Sequence, residues 1–535
     1  MALLCALVVP LQSVPARGED HIRTPKDFQR LEVALAGEMA AVFAVELDGL
    51  RGKELVVLEA DRDSGRSERL STAVYTPRGD GYARLPDSVT PLPPGVALAA
   101  MGRFRGGPGL ALLTPTGVFI LPWRGGAFVA QDRPTLAFHS AFAVREGSLM
   151  DGLEWVRDLN GDGLDEIMPP GFDHLSIWWQ ASGQVDPWGG WAMMEPMEIP
   201  AHTRLMDWSL SQRKLLAFRL PTVQVVPRGP GQWPDMVLYQ GGLFRLFRLH
   251  AQDGVAHPPQ LLLEVDFQPP VPFDPAKPLD PTMRLVRATD LNRDGSLDAV
   301  FLKTAASDAQ FNTNTTVLVH YDVPTLARQS GGAKEGQPTT APRPDQVFAM
   351  EGFVYPILLD MDGNHTTDLL MVNVEIGFWN AIKALIARSV SAEGAYYLMP
   401  EGKRYPVSPN VLEDYTVKFS LGRHSHQPIF AFADLNGDGR PDLMLSQTKE
   451  RLGVHFGRTE GYWHTNTDLE FEDDLPARRQ RVRVTDLNGD GKDDLILEYN
   501  RDDMRLMPHV RGHFTVLRSV ERGTQLVEAH APARD

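Results

Sequence analysis

The chain has 535 residues, enough for several ordinary domains or one large repeat array, and its 43% hydrophobic and 23% charged content allows a packed core and excludes wholesale disorder. A net charge of −16 excludes nucleic acid as the main partner, because phosphate binding needs a basic face. A lone cysteine, Cys5, excludes an internal disulfide framework, and 47 Gly with 42 Pro point to the many turns of an all-β chain.

In chain order, the apolar run 2–12 is too short to span a bilayer and resembles the apolar part of a secretory signal, with "VPA" at 14–16 as cleavage context. Residues 1–18 are therefore expected to be a signal peptide, and the protein to be exported to the periplasm, cell surface or exterior. The basic leading region of such signals is missing, which points to a true start upstream. Cys5 lacks the small preceding residues of a lipid-attachment site. "RGD" at 78–80 is a tripeptide expected by chance and receives no function. No later stretch reaches the ~18 uninterrupted apolar residues of a membrane helix.

The first informative motif begins at Asp158. Asp158, Asn160 and Asp162 stand at positions 1, 3 and 5 of a short loop, Gly163 at 6, Leu164 at 7 and Glu166 at 9. Alternate positions of a tightly curled loop point oxygens inward, as a hard dication such as calcium requires. Gly at position 6 permits the positive φ that turns the position-7 carbonyl inward as well. Position 7 then contributes only its backbone. Neighbouring Asp165 is a competitor for the ion. The rule recurs at Asp290, Asn292, Asp294, Ser296 and Asp298; at Asp434, Asn436, Asp438, Arg440 and Asp442; and at Asp486, Asn488, Asp490, Lys492 and Asp494. A fifth copy, Asp360, Asp362, Asn364, Thr366 and Asp368, carries His365 at position 6, which strains the turn. Each loop holds three carboxylates, which repel one another without a counter-ion. Five bound dications would change the formal charge from −16 to −6.

An EF-hand would place Glu at position 12 and helices on both sides; here position 12 of the last loop is Leu497, inside the β-like run "LILEY". Acidic loops of this spacing, each running into an apolar strand, resemble the FG-GAP/VCBS repeats of β-propellers, including the integrin α-chain head. Worn copies complete the array: "ELDGLRGKELVVL" at 46–58 keeps Glu46, Asp48 and Glu54, "MGRFRGGPGLALL" at 101–113 keeps little beyond glycines, and "PRGPGQWPDMVLY" at 227–239 keeps Pro234-Asp235. The starts at 46, 101, 158, 227, 290, 360, 434 and 486 are 52 to 74 residues apart, one four-stranded blade per unit. The expectation is a single β-propeller over 19–535, of eight blades with seven as the alternative. Residues 39–45 would be its first inner strand, 512–521 its last strand, and pairing of terminal strands would close the ring.

Between the copies, Trp178, Trp179, Trp188 and Trp191 crowd one region, a blade interior or a sugar platform. The polar stretch 328–345 reads as a loop. Phe378, Trp379, Ile382, Leu385 and Ile386 fall at helical spacing, so a short inserted helix is expected over 378–390. His424 and His426 are too few for a transition-metal site. No HExxH, GxSxG, P-loop or strand-borne GxGxxG is present, and no catalytic residue is assigned. The resemblance implies an exported, calcium-stabilised module binding a protein or glycan. A polysaccharide lyase-like enzyme and a structural subunit of a cell-envelope assembly are the alternatives.

Overall fold

The computed structural model describes residues within 23–520; the segments 61–68, 181–196, 268–282, 306–313, 331–340, 375–388 and 419–428 and some shorter stretches are outside the described residues. The expected signal peptide, Trp188, Trp191, His424 and His426 fall outside them, as does the expected helix up to 388. Ser389 and Val390, its last two residues, instead open a strand, Ser389–Tyr397.

Antiparallel sheets follow one another along the chain, each wound from the inside outward. Blade 1 is Glu38–Val45, Glu54–Ala60, Leu70–Tyr75 and Ser88–Pro91. Blade 2 is Leu98–Phe104, Gly107–Thr114 and Gly117–Arg124, the last pairing with both Ala127–Phe128 and Leu136–Ala137. Blade 3 is Thr222–Val226, Asp235–Gln240, Leu243–Arg248 and Gln260–Asp266. Blade 4 is Met283–Thr289, Asp298–Ala305, Asn314–His320 and Gln346–Glu351. Blade 5 is Phe353–Leu359, Asp368–Val374, Ser389–Tyr397 and Val411–Lys418. Blade 6 is Phe430–Ala433, Asp442–Thr448, Arg451–His455 and Leu469–Glu472.

Blade 7 takes Val482–Thr485, Asp494–Leu497 and His513–Ser519 from the end of the chain, and its outermost strand, Phe28–Ala34, from the beginning. The ring therefore closes by pairing terminal strands, as expected. The stretch 512–521 is the third strand of its blade and not the last.

Seven blades are complete among the described residues, the smaller of the two expected numbers. The unit around 158–166 is split between blades 2 and 3. Val156–Arg157 pairs with Glu166–Ile167 and His174–Ile177 with Met197–Pro200, joined by the isolated bridges Ile167–Trp178 and Pro170–Leu175. A hairpin of His202–Trp208 and Arg213–Arg219 follows. The helices Val323–Ser330 and Arg501–Leu506 are short, and the first takes the opening residues of the stretch read as a loop. No helix among the described residues is long and apolar enough to cross a membrane.

Second strands lie inside the stack, so successive side chains enter the interfaces on opposite faces. Leu55 and Val57 pack toward blade 7, and Val56 and Leu58 toward blade 2. Likewise Ala299 and Phe301 pack against blade 3, and Val300 and Leu302 against blade 5. The buried clusters each join two neighbouring units, and that of Val42, Leu55, Ile496 and Phe514 joins blade 1 to blade 7 across the closure. Trp155 and Trp179 are buried at 1% and 3% exposure in the interfaces flanking the split unit. That favours the blade-interior reading of the described tryptophans over a sugar platform.

The closing strand is also tied to blade 6 by charge: Arg30 Nε lies 2.6 Å from Asp473 Oδ2, with the Asp473 side chain 2% exposed. Removing one partner of such a pair strands a buried charge, at about 3 kcal/mol. Arg30→Met, which strands the buried Asp473 carboxylate, is expected to lower the unfolding free energy by that order, and the double variant Arg30→Met/Asp473→Leu to recover most of the loss, with Asp473→Leu alone milder because Arg30 keeps Glu32. Chemical denaturation of the three proteins checks both.

Candidate metal loops

Each regular loop lies between the first and second strands of its unit, which places the five at corresponding corners. The corner is fixed by its own carboxylates. Asp158 Oδ1 accepts the Gly161 amide at 2.6 Å and Oδ2 the Gly163 amide at 2.9 Å. The same two bonds recur at Asp434 and Asp486, and at Asp360 with His365 as the second donor. Asp290 holds the amides of Asp294 and Gly295. Position-3 oxygens accept the position-5 amide, and position-5 oxygens the position-7 amide, as in Asn488 to Asp490 (3.0 Å) and Asp490 to Lys492 (2.9 Å). Leu164, Ser296, Thr366 and Arg440 donate their amides in the same way. Positions 1, 3 and 5 of each loop thus converge on one curled turn before any ion is considered.

Position 6 behaves as the sequence implied. Gly163, Gly295, Gly439 and Gly491 have φ of 83°, 87°, 79° and 85°, and His365 is forced to 66°. Arg293, at position 4, is likewise held at 62° where the other loops have glycine. Despite that strain, Asp360, Asp362 and Asp368 bring carboxylate oxygens within 4.8 Å of one another, the one such triad among the described residues. Its position 3 is Asp, which the other loops replace with Asn.

Position 9 has a role that spacing alone did not disclose. Glu166, Asp298, Asp368, Asp442 and Asp494 are all 0% exposed. One oxygen of each accepts the position-2 amide: Leu159 at 2.8, Leu291 at 3.0, Met361 at 2.8, Leu435 at 2.9 and Leu487 at 2.7 Å. In four of them the other oxygen accepts an amide at or just beyond the end of the third strand: Asp322, Met399, Gly457 and Ser519, at 2.6 to 3.0 Å. Position 9 is therefore a structural staple as well as a candidate ligand. The worn copy at 46 keeps it, with Glu54 buried and accepting the Leu47 amide at 2.8 Å. In the copy at 227, buried Asp235 is paired instead with Arg228 and Arg248, at 3.8 and 3.3 Å.

Asp165, expected to compete for the ion, is engaged elsewhere. Its carboxylate accepts the Arg103 amide at 2.6 Å while its own amide donates to the Arg103 carbonyl at 2.8 Å. Asp493 makes the same double bond to Asp434. Position 8 thus clamps a unit to the loop of the preceding one. The doublets Asp165-Glu166 and Asp493-Asp494 were the available signal for it.

These groups sit in a dry, acidic environment. Burial pushes Glu166 up to about 9, with added repulsion from Asp162, Asp158 and Asp165. Burial likewise raises Asp298, Asp368 and Asp442 to about 7 and Asp494 to about 6, each further raised by the acids of its own loop. Carboxylates that stay protonated to higher pH when folded stabilise the fold fully below their unfolded pKa near 4. That contribution is lost as pH rises through 6 to 9. In chelator, the melting temperature is therefore expected to fall between pH 5 and pH 8.5. Excess calcium should flatten the decline, and scanning fluorimetry across that range measures both arms.

Residues 434–497, from the loop of blade 6 to the second strand of blade 7, match the family model described as an FG-GAP-like repeat. No curated protein matches the chain in sequence. The solved WD40 domain of SCAP from fission yeast aligns with 85% of this chain and 100% of that one at 10% identity, with a TM-score of 0.26, too low to carry an argument. The matched repeat and the closed ring of four-stranded blades together support the FG-GAP-repeat β-propeller family for this chain.

Proposed function

We propose that the protein is an exported β-propeller that binds calcium at five corners and acts as an interaction module for a protein or glycan. The carrying observation is the donor set: five loops whose positions 1, 3 and 5 curl onto one turn, each with a third carboxylate at position 9 on the adjoining strand, which suit a hard dication by charge and by oxygen chemistry. The ligands would be the side chains at positions 1, 3, 5 and 9 and the carbonyls of Leu164, Ser296, Thr366, Arg440 and Lys492. A bound ion would neutralise the repulsion that adds to burial in raising Asp162 and Asp362 as well as the position-9 acids. It would stabilise the folded state alone, by mass action. Export accords with this reading, since calcium is plentiful outside cells and scarce within them.

Ligand and staple roles separate by mutation. Asp490→Ala should remove about one of five calcium equivalents in calorimetric titration and lower the melting temperature in chelator less than Asp494→Ala does, since the bonds it loses, from Asn488, Lys492 and Ser519, are only part-buried. Asp494→Ala should also lower the melting temperature in chelator, because it orphans the buried amides of Leu487 and Ser519, at about 1–3 kcal/mol each. No calcium uptake by the parent, or unchanged melting in chelator, would contradict the proposal.

A further inference from the structure

The innermost strands of blades 5 and 6 and the turn leading into blade 7 leave a cavity of about 480 Å³ between them, a size that accepts a small ligand. Its wall includes Tyr355 and Ile357 from blade 5, Phe430 and Phe432 from blade 6, and Arg479 with Gln480 from the turn leading into blade 7. The Tyr355 side chain is 42% exposed, unusual for an aromatic on an inner strand. The Arg479 guanidinium stands 5.7 Å from the centre of that ring. An aromatic face orients a guanidinium while leaving its N–H groups to other acceptors. No carboxylate lines the cavity, and among the described residues none pairs with Arg479. On a chain of net charge −16, an exposed arginine free of acids and set beside three aromatic rings is a local reversal of charge.

We propose that this axial cavity binds a carboxylate joined to an apolar or aromatic body, with the carboxylate on Arg479 and the body against Tyr355, Phe430 and Phe432. A planar guanidinium matches a carboxylate with two parallel bonds, and the rings remove the adjoining apolar surface from water. The donor could be a free organic acid or an acidic residue beside an aromatic one in a peptide. The site owes nothing to the metal loops. No acid of the metal loops lines the cavity, and the strands that form its walls run on toward Asp360 and Asp434.

The test uses the full chain with calcium present and compares 4-phenylbutyrate, 4-phenylbutanol and the blocked dipeptide acetyl-Glu-Phe-amide by saturation-transfer NMR and calorimetry. The expected result is binding of the acid at least about tenfold tighter than the alcohol, with that preference abolished in Arg479→Gln. Tyr355→Ala should weaken acid and alcohol alike. Arg479→Gln should melt with the parent, since the side chain it replaces is exposed. Tighter binding of phenylbutyrate than of the dipeptide assigns a free acid, and the reverse order assigns a peptide segment; either supports the site. Equal binding of acid and alcohol, an unaltered preference in Arg479→Gln, or no binding of acid or dipeptide at about 10 mM overturns it. The calcium measurements are unaffected by that failure.

Discussion

The structure depends on a buried carboxylate that holds two backbone amides at once. At position 9 of each regular loop, the side chain reaches from the start of the second strand to the position-2 amide. At Asp298, Asp368, Asp442 and Asp494 it also reaches the amide at the end of the third. One residue thereby fixes where three strands of a blade meet. A carboxylate suits the task because it offers two oxygens in a plane, and buried amides left without acceptors are costly. The same burial makes the negative charge expensive, and the neighbouring loop acids make it more so. A dication beside the staple, as proposed, would resolve that conflict at the same residues that form the blade corner.

The worn units support this view by solving the conflict differently. At 46–54 the staple survives as Glu54 while the ligand set is depleted. At 227–235 two arginines stand around Asp235 where a metal ion would otherwise balance the charge. At blade 2 the loop has shrunk to a hairpin turn through Gly107, at φ 109°, and no acid is needed. Around all of them the second strand remains apolar on both faces, since each blade needs a neighbour on either side. A bound ion would refine a corner in an architecture that packing already supports.

Much of this was legible in the residues. The loops, their register, the strained His365 turn and closure by terminal strands follow from local spacing and from the need to remove sheet edges. Blade number was not, because the repeat was counted by loops. The loop at 158–166 is intact, yet its strands pair only in two short ladders, and strand pairing is decided by tertiary context that a loop motif does not encode. Phe28–Ala34 escaped notice as the outer strand of blade 7 because it carries no motif and finds its partner almost five hundred residues away. The position-8 clamp and the cavity beside Arg479 depend on contacts between units, which no single repeat displays.

The most direct measurement is hydrogen exchange of the intact protein with and without calcium, read at the six stapled corners. The account predicts slower exchange with calcium in the segments 158–166, 290–298, 360–368, 434–442 and 486–494. The segment 46–54, with its staple but a depleted ligand set, should remain unchanged and serve as the internal control. Exchange that ignores calcium at all six corners, or slows equally at 46–54, would contradict the claim that ion and staple act together.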